Sequence, residues 1–251
     1  MLAQSLRVQL LSLLMVLVVW QLVAVGLELQ LLPSPLQVMA VMWDEWSSGE
    51  LWPHLRATLS RVIISFIAAM GLGTLLGLLM GLNPRINQWL DPLLVMLLNM
   101  PALVVIILLY IWCGLIEAAA IAAVVINKVP NVAVTLREGT RSLDPQYQAL
   151  VRVYGVGYWR QLTEVILPQL APYFLVASRS GLALIWKIVL VVELLGRSDG
   201  VGFQLHLAFQ MFDVAMILAY SFAFILVVQV IEWLLLQPWE RYQRRWREEA
   251  C

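Results

Sequence analysis

The chain has 251 residues, of which 62% are hydrophobic and 13% are charged, and its mean hydropathy is +0.85. So few polar side chains cannot cover a water-soluble domain of this size, which excludes the soluble globular class and indicates a membrane protein. The 16 basic and 16 acidic residues balance to a formal net charge of zero, so the sequence shows no basic footprint for nucleic acid.

Six apolar stretches are each about 20 residues long, the length that crosses a bilayer. They run at about 6–25, 62–82, 93–112, 115–136, 170–195 and 214–236. The first also resembles a signal peptide, because Arg7 precedes it and Ala24-Val25-Gly26 resembles a cleavage site. We interpret it as a retained span, since it is long and further spans follow. The predicted fold is all-α, a polytopic membrane helical bundle of about six transmembrane helices.

Lysine and arginine are distributed unevenly between the two sets of loops, which predicts the orientation. With the N-terminus and the C-terminus both inside, three arginines lie outside: Arg56, Arg61 and Arg197. The cytoplasmic arginines are then Arg7, Arg85, Arg137, Arg141, Arg152, Arg160, Arg241, Arg244, Arg245 and Arg247. We therefore expect an N-in/C-in protein of the cytoplasmic membrane, with a basic aromatic tail over 238–251 that lies against lipid.

Prolines and glycines mark special positions along the spans. Pro33 and Pro35 prevent a helix from continuing through "LPSP", which predicts a rigid connector there. The second span carries Gly71, Gly73, Gly77 and Gly81, which leave one helix face open to the close approach of another helix. We interpret this face as ordinary bundle packing. Pro101 is expected to break the third span.

A polar insert over about 144–166 separates the fourth and fifth spans. Asp144-Pro145 is a good helix start, and Tyr147, Leu150, Val151 and Tyr154 then recur at helical spacing. Gly155 suits a left-handed residue that ends this helix. A second short helix places Trp159, Leu162, Val165 and Ile166 on one side, and Pro168 and Pro172 are expected to stop it before the fifth span.

Two such short amphipathic helices are not stable alone in water, so their apolar faces must dock on something. One candidate is the cytoplasmic ends of the spans or the lipid interface. The other is a groove on a soluble partner. The pattern alone favours neither.

The insert resembles the cytoplasmic signature of ABC importer permeases: Glu-Ala-Ala, three residues, glycine, nine residues, then Ile-x-Leu-Pro. Here nine residues separate Gly155 from Val165-Ile166-Leu167-Pro168, and the Glu-Ala-Ala positions hold Ala149, Leu150 and Val151. From about residue 30 onward, further stretches fall in the order and spacing of the nitrate/sulfonate/taurine-type permeases. They are "LLPSPLQVM", "ATLSRVIISF", "LDPLLVMLLNMPA", "GTRSLDPQ", "ILPQLAPYF", "WKIVLVVELLG" and "DGVGFQL".

The resemblance implies a single transmembrane permease domain over 1–251, whose insert couples to the ATP-binding subunits of an importer. It implies this coupling role for Tyr147, Ala149, Leu150, Val151, Tyr154, Gly155, Trp159, Leu167 and Pro168. Ala149 replaces the signature glutamate, so the polar contact of that position is in doubt, whereas docking is still implied. The other implied partners are a second permease copy and a periplasmic solute-binding protein.

The chain is expected to supply no catalysis of its own. It has no GxxxxGK[ST] phosphate loop, so ATP hydrolysis must lie on a partner chain. Its two cysteines, Cys113 and Cys251, and its two histidines, His54 and His206, form no metal motif, so we expect neither a metal nor a cofactor.

Charged residues inside the spans are the candidate pathway groups, because a charge facing lipid costs several kcal/mol. Arg179, Lys187 and Glu193 share the fifth span. They either pair between helices or, for Arg179 and Lys187, face the pathway and favour an anionic solute. Lys128 is expected to snorkel from the end of its span, and Asp213 and Glu232 to lie near span ends.

Two other function classes are consistent with a polytopic bundle. An intramembrane enzyme needs a nucleophile and a base at membrane depth; Ser65 and Ser178 are present, but both histidines are predicted outside. A secondary transporter is disfavoured because the six spans show no inverted repeat.

Overall fold

The computed structural model of the protein describes residues 2–27, 32–144, 146 and 153–236, and the secondary structure of these residues is helical, as predicted. The helices are α1 (Leu2–Leu27), α2 (Pro35–Ser48), α3 (Leu51–Leu82), α4 (Pro84–Asn99), α5 (Ala102–Cys113), α6 (Glu117–Arg141), α7 (Tyr158–Arg160), α8 (Leu167–Gly196), α9 (Val201–Gln210) and α10 (Val214–Ile231). Two π-helical segments, Gln161–Ile166 and Glu232–Leu236, precede α8 and follow α10.

Four segments are long and apolar enough to cross a membrane: Leu51–Leu82, Glu117–Arg141, Gln161–Gly196 and Val214–Leu234. A fifth crossing is the pair α4 and α5, which bends by 99° at the break that Pro101 predicted. The pair reaches both ends of the bundle: Asp91 on α4 bonds Arg137 near the end of α6, and Tyr110 on α5 donates to the Val192 carbonyl near the end of α8. The described residues thus give up to five of the six predicted spans, and α1 adds a shorter apolar stretch, Leu14–Gly26.

Glycines set the close packing of α3 on α6. A Cβ built on Gly73, Gly77 or Gly81 would lie 2.4–2.7 Å from the nearest atom of α6, whereas one on Gly71 would meet nothing within 4 Å. Three of the four predicted positions therefore form the open face, and Gly71 lies outside it. The contacts advance together along both helices, so α3 and α6 run parallel.

The direction of α8 is opposite, since Gly181 lies against Lys128 and Tyr173 lies against Gly139. As a result the starts of α3 and α6 and the end of α8 meet at one end of the bundle, here called the Arg61 end. The opposite end is called the Arg137 end. The prediction places the Arg61 end outside and the Arg137 end in the cytoplasm.

Two helices outside the spans were not predicted, α2 and α9. For α2 the sequence does carry a signal: the Ser34 hydroxyl accepts from the Gln37 backbone N–H, and the Gln37 side chain accepts from the Ser34 N–H. This reciprocal capping, with Pro35 in the first turn, starts a helix where we expected only a connector. Gly49, with φ +87°, ends it.

Candidate functional site

A buried arginine organises the Arg61 end. Arg61 is 3% exposed, and its guanidinium donates to both carboxylate oxygens of Glu117 at 2.7 and 2.9 Å. It also donates to Glu193 at 2.8 Å and to the backbone and side chain of Asp199. Arg197 adds a second cation on Glu117 at 2.9 Å. These five residues, Arg61, Glu117, Glu193, Arg197 and Asp199, are called the Arg61 cluster.

The second oxygen of Glu193 is also satisfied. It accepts from the Thr58 hydroxyl and from the Gly202 backbone N–H, both at 2.9 Å. A Cβ on Gly200 would lie 2.3 Å from Glu193, and one on Gly202 would lie 2.2 Å from the Leu190 carbonyl. The two glycines of "DGVGFQL" therefore let the start of α9 approach the carboxylate, which needs a residue without a side chain at both positions.

The Arg61 cluster changes the interpretation of two charged residues. Glu193, predicted as a pathway or interhelical charge, is 0% exposed and pairs between helices. Arg61 was predicted to lie on the outer side, just before the second span. Because α3 begins at Leu51, Arg61 is part of this helix, three turns from its start. The start of the second span was predicted at 62, since the polar residues before it lower the local hydropathy.

The other intramembrane charges lie elsewhere. Lys128 is 1% exposed and packs against Gly181, so the prediction that it snorkels to the interface is wrong. Its ammonium has no hydrogen bond or ion pair within the described part of the chain. Asp213 caps α10 by accepting from the Met216 N–H at 2.9 Å. Glu232 lies 4.0 Å from Arg179.

Arg179 and Lys187 line one cavity of about 510 Å³ between α8 and α10, here called the α8/α10 groove. Trp186 and Phe224 meet edge to face in its wall, with ring centroids 5.5 Å apart. Ser221, Gln229 and Glu232 supply polar groups. The structure thus brings together two of the three predicted pathway charges and separates them from Glu193.

The insert is described from residue 153 onward, together with its start. Asp144 accepts from the Gln146 backbone N–H at 2.8 Å, as a helix-capping residue does. Tyr147, Ala149, Leu150 and Val151 lie outside the described residues, as does the tail at 238–251. Gly155 has a φ of +60°, the left-handed conformation that we predicted. Next to it, Tyr154 is 77% exposed.

The second half of the insert differs from the prediction in two ways. The chain does not stop at Pro168 and Pro172, because the π-helical segment 161–166 runs directly into α8. Pro168 is the second residue of α8, directly after this π-helical segment. The expected packing face also divides: Ile166 is buried among Leu136, Leu143 and Leu170, whereas Trp159 is 76% exposed. Leu167 and Pro168 are exposed.

Comparison with known proteins identifies the family. Residues 69–236 match the family described as "Binding-protein-dependent transport system inner membrane component". The chain belongs to this family. It is therefore the permease subunit of an ATP-driven importer, a multi-pass protein of the cytoplasmic membrane, and not an enzyme. Family membership also implies ATPase and solute-binding protein partners, and it sets aside the secondary transporter and the intramembrane enzyme.

Named relatives of the permease cover most of its length. It is 31% identical to a Bacillus subtilis (strain 168) protein named as an aliphatic sulfonates transport permease, SsuC, over 76% of this chain and 70% of the relative. It is 29% identical to the taurine transport system permease protein TauC of Escherichia coli (strain K12), over 85% of this chain and 78% of TauC. The nitrate import permease protein NrtB of Synechocystis is 27% identical over 74% of this chain and 71% of NrtB.

A solved structure supports the fold of the permease. It is described as the crystal structure of an amino acid ABC transporter with histidines, and it matches with a TM-score of 0.63 at 20% identity. The match covers 80% of this chain and 98% of the other. At this identity the likeness concerns the arrangement of helices.

Proposed function

We propose that two copies of this permease enclose the pathway for a small anionic solute, and that the insert over 144–166 docks each copy on a separate ATPase subunit. ATP-driven closure of the ATPases then moves the insert and opens the pathway alternately to each side. The names of the relatives support the solute class, since they refer to sulfonates, taurine and nitrate.

The observation that carries the docking proposal is the exposure of the aromatic residues of the insert. Tyr154 and Trp159 lie beyond the apolar spans, in the same part of the chain as the Arg160–Glu164 ion pair. Large apolar side chains that are exposed on a polar segment, away from the core, are typical of an interaction surface. The insert is also tied to α8, because Ile166 is buried in the core beneath it. A partner that moves the insert would therefore move a membrane-spanning helix.

Co-purification tests this docking. Tyr154→Asp and Trp159→Asp place a charge in the proposed interface, so we expect the ATPase subunit to be lost from the purified complex. Met211→Asp is the matched control: Met211 is as exposed as Tyr154 (77%) but lies in the turn before α10, at the Arg61 end. This variant should keep the ATPase. Retention of the ATPase by both insert variants, with normal membrane insertion, contradicts the docking proposal.

A further inference from the structure

The α8/α10 groove carries a cation that forms no ion pair with the described residues. Lys187 lines the groove and is exposed to it, and the described part of the chain places no carboxylate within 4.0 Å of its ammonium. The neighbouring Arg179 differs, because Glu232 lies 4.0 Å from its guanidinium. A lysine within a membrane span does not face lipid without a large cost, so Lys187 is expected to meet water or an anion.

The depth of Lys187 favours a solute over a lipid headgroup as that anion. Lys187 precedes Gly196, the last residue of α8, by nine positions, which is about 14 Å along a helix. Half of the hydrocarbon thickness is about 15 Å. Since the Arg61 cluster marks the polar end of α8, Lys187 lies near mid-depth, below the level of lipid phosphates.

The walls of the groove indicate the rest of the ligand. Trp186, Leu190, Phe224 and Ile225 give it apolar sides, and only a few polar groups interrupt them. A volume of about 510 Å³ with mostly apolar walls and a few charged groups, here Arg179, Lys187 and Glu232, is typical of sites for organic molecules. An inorganic oxyanion would fill little of this space. It would also lose its hydrating water, and the groove offers too few polar groups to replace that water.

We propose that the α8/α10 groove binds an organic anion, a solute with one negative group on an apolar body, and that Lys187 pairs with the negative group. The inference rests on the proposed function and names the substrate class of its pathway. Within the solutes that the relatives' names suggest, it favours an organic sulfonate over nitrate. Trp186 and Phe224 hold the apolar body, and Ser221 offers a hydroxyl to the anionic group.

Equilibrium binding of a fluorescent probe tests this site. The permease is placed in phosphatidylcholine nanodiscs, both alone and with its ATPase subunits, and titrated with naphthalene-1-sulfonate. We expect butane-1-sulfonate to displace the probe, and equal concentrations of sodium nitrate or butylammonium to leave it bound. Displacement by nitrate as effective as that by butane-1-sulfonate would overturn the organic-anion assignment.

Variants locate the bound probe. Lys187→Met should weaken the displaceable binding by at least about tenfold, and Lys187→Arg should keep it within about threefold, because arginine preserves the charge. Arg56→Met is the matched control, because it also removes one positive charge. Arg56 lines a different cavity, whose walls include Trp52 and Ser60. Unchanged affinity in Lys187→Met, or an equal loss in Arg56→Met, would contradict the proposal.

Two further arms separate the remaining explanations. Replacing part of the phosphatidylcholine with phosphatidylglycerol offers the groove an anionic lipid, and loss of probe binding there would assign the site to lipid. Binding by the permease alone decides the inference independently of the ATPase. Failure of the ATPase to assemble would instead count against the proposed docking function, and the probe result would stand without it.

Discussion

Arg61 on α3 and Glu193 on α8 form a salt bridge of 2.8 Å in which neither side chain is open to solvent. Removing two charges from water costs several kcal/mol for each ion, and good geometry with further hydrogen bonds is needed to offset that cost. Here Glu117 and Asp199 accept hydrogen bonds from the other guanidinium N–H groups, and Thr58 and Gly202 donate to the second oxygen of Glu193. The pair therefore joins four helices, α3, α6, α8 and α9.

Removing the cation of this pair should destabilise the permease strongly. Arg61→Met leaves Glu193 buried and without its counter-ion, so we expect the free energy of unfolding to fall by about 3 to 5 kcal/mol. The measurement is the midpoint of unfolding by sodium dodecyl sulfate in mixed micelles. The double variant Arg61→Met/Glu193→Leu should recover part of the loss, since no unpaired charge remains.

An exposed ion pair provides the control for Arg61→Met. Arg160 and Glu164 are 3.1 Å apart, but both are largely exposed to solvent. Arg160→Met should therefore lower the free energy of unfolding by less than about 1 kcal/mol. If Arg61→Met were no worse than Arg160→Met, the Arg61 cluster would not be a structural element.

Two glycines of α3 should respond in opposite ways to the same substitution. A Cβ on Gly77 would lie 2.7 Å from the Ala133 carbonyl and from the Leu136 side chain, so Gly77→Ala should separate α3 from α6 and lower stability. Gly71 has open space around it, and Gly71→Ala should be neutral or stabilise by up to about 1 kcal/mol through helix propensity. The same unfolding measurement checks both, and equal effects at the two positions would contradict the packing.

Features that follow from local backbone rules were predictable from the sequence. Pro101 indicated the break between α4 and α5, and Gly155 indicated a left-handed residue, because each depends on one residue and its neighbours. The glycine face of α3 followed from the spacing of Gly73, Gly77 and Gly81 along one helix. A regular spacing of glycines within one helix is therefore enough to predict which face of that helix packs closely.

Pairing between distant elements was not predictable in the same way. Arg61 and Glu193 are 132 residues apart, and their contact depends on the register of α3 against α8. Hydropathy also placed Arg61 outside the span, since it treats a charge as a boundary whether or not a partner exists. The sequence named Arg179 and Lys187 as candidates, but only the helix arrangement shows that they share a cavity without Glu193.

Gly155 should matter for coupling through its backbone alone. Nothing lies within 4 Å of a Cβ built there, but its φ of +60° costs other residues about 1 to 2 kcal/mol. If the docked insert requires this conformation, Gly155→Ala should weaken binding of the ATPase subunit by about fivefold to thirtyfold. Binding is measured by titrating the ATPase onto the permease in nanodiscs.

Two variants control for the loss of a glycine in the insert. Gly155→Asn should bind the ATPase nearly normally, because asparagine adopts the left-handed conformation more readily than alanine. Gly157 is equally open but has no positive φ, so Gly157→Ala should have little effect. An equal loss of binding in Gly155→Ala and Gly157→Ala would show that the left-handed turn is not what the ATPase recognises.

The two lysines of the bundle should separate stability from anion binding. Lys128 is buried on α6 with no partner for its ammonium among the described residues, so its burial has an uncompensated cost. Lys128→Met keeps the aliphatic part of the side chain and removes that cost, and we expect the free energy of unfolding to rise by on the order of 1 kcal/mol.

Lys187→Met, in the α8/α10 groove, should leave stability unchanged and weaken binding of the sulfonate probe. The detergent unfolding midpoint and the probe affinity are measured for both variants. A loss of stability in Lys128→Met would mean that its ammonium is held by a group that offsets its burial, and would assign it a structural role in the bundle.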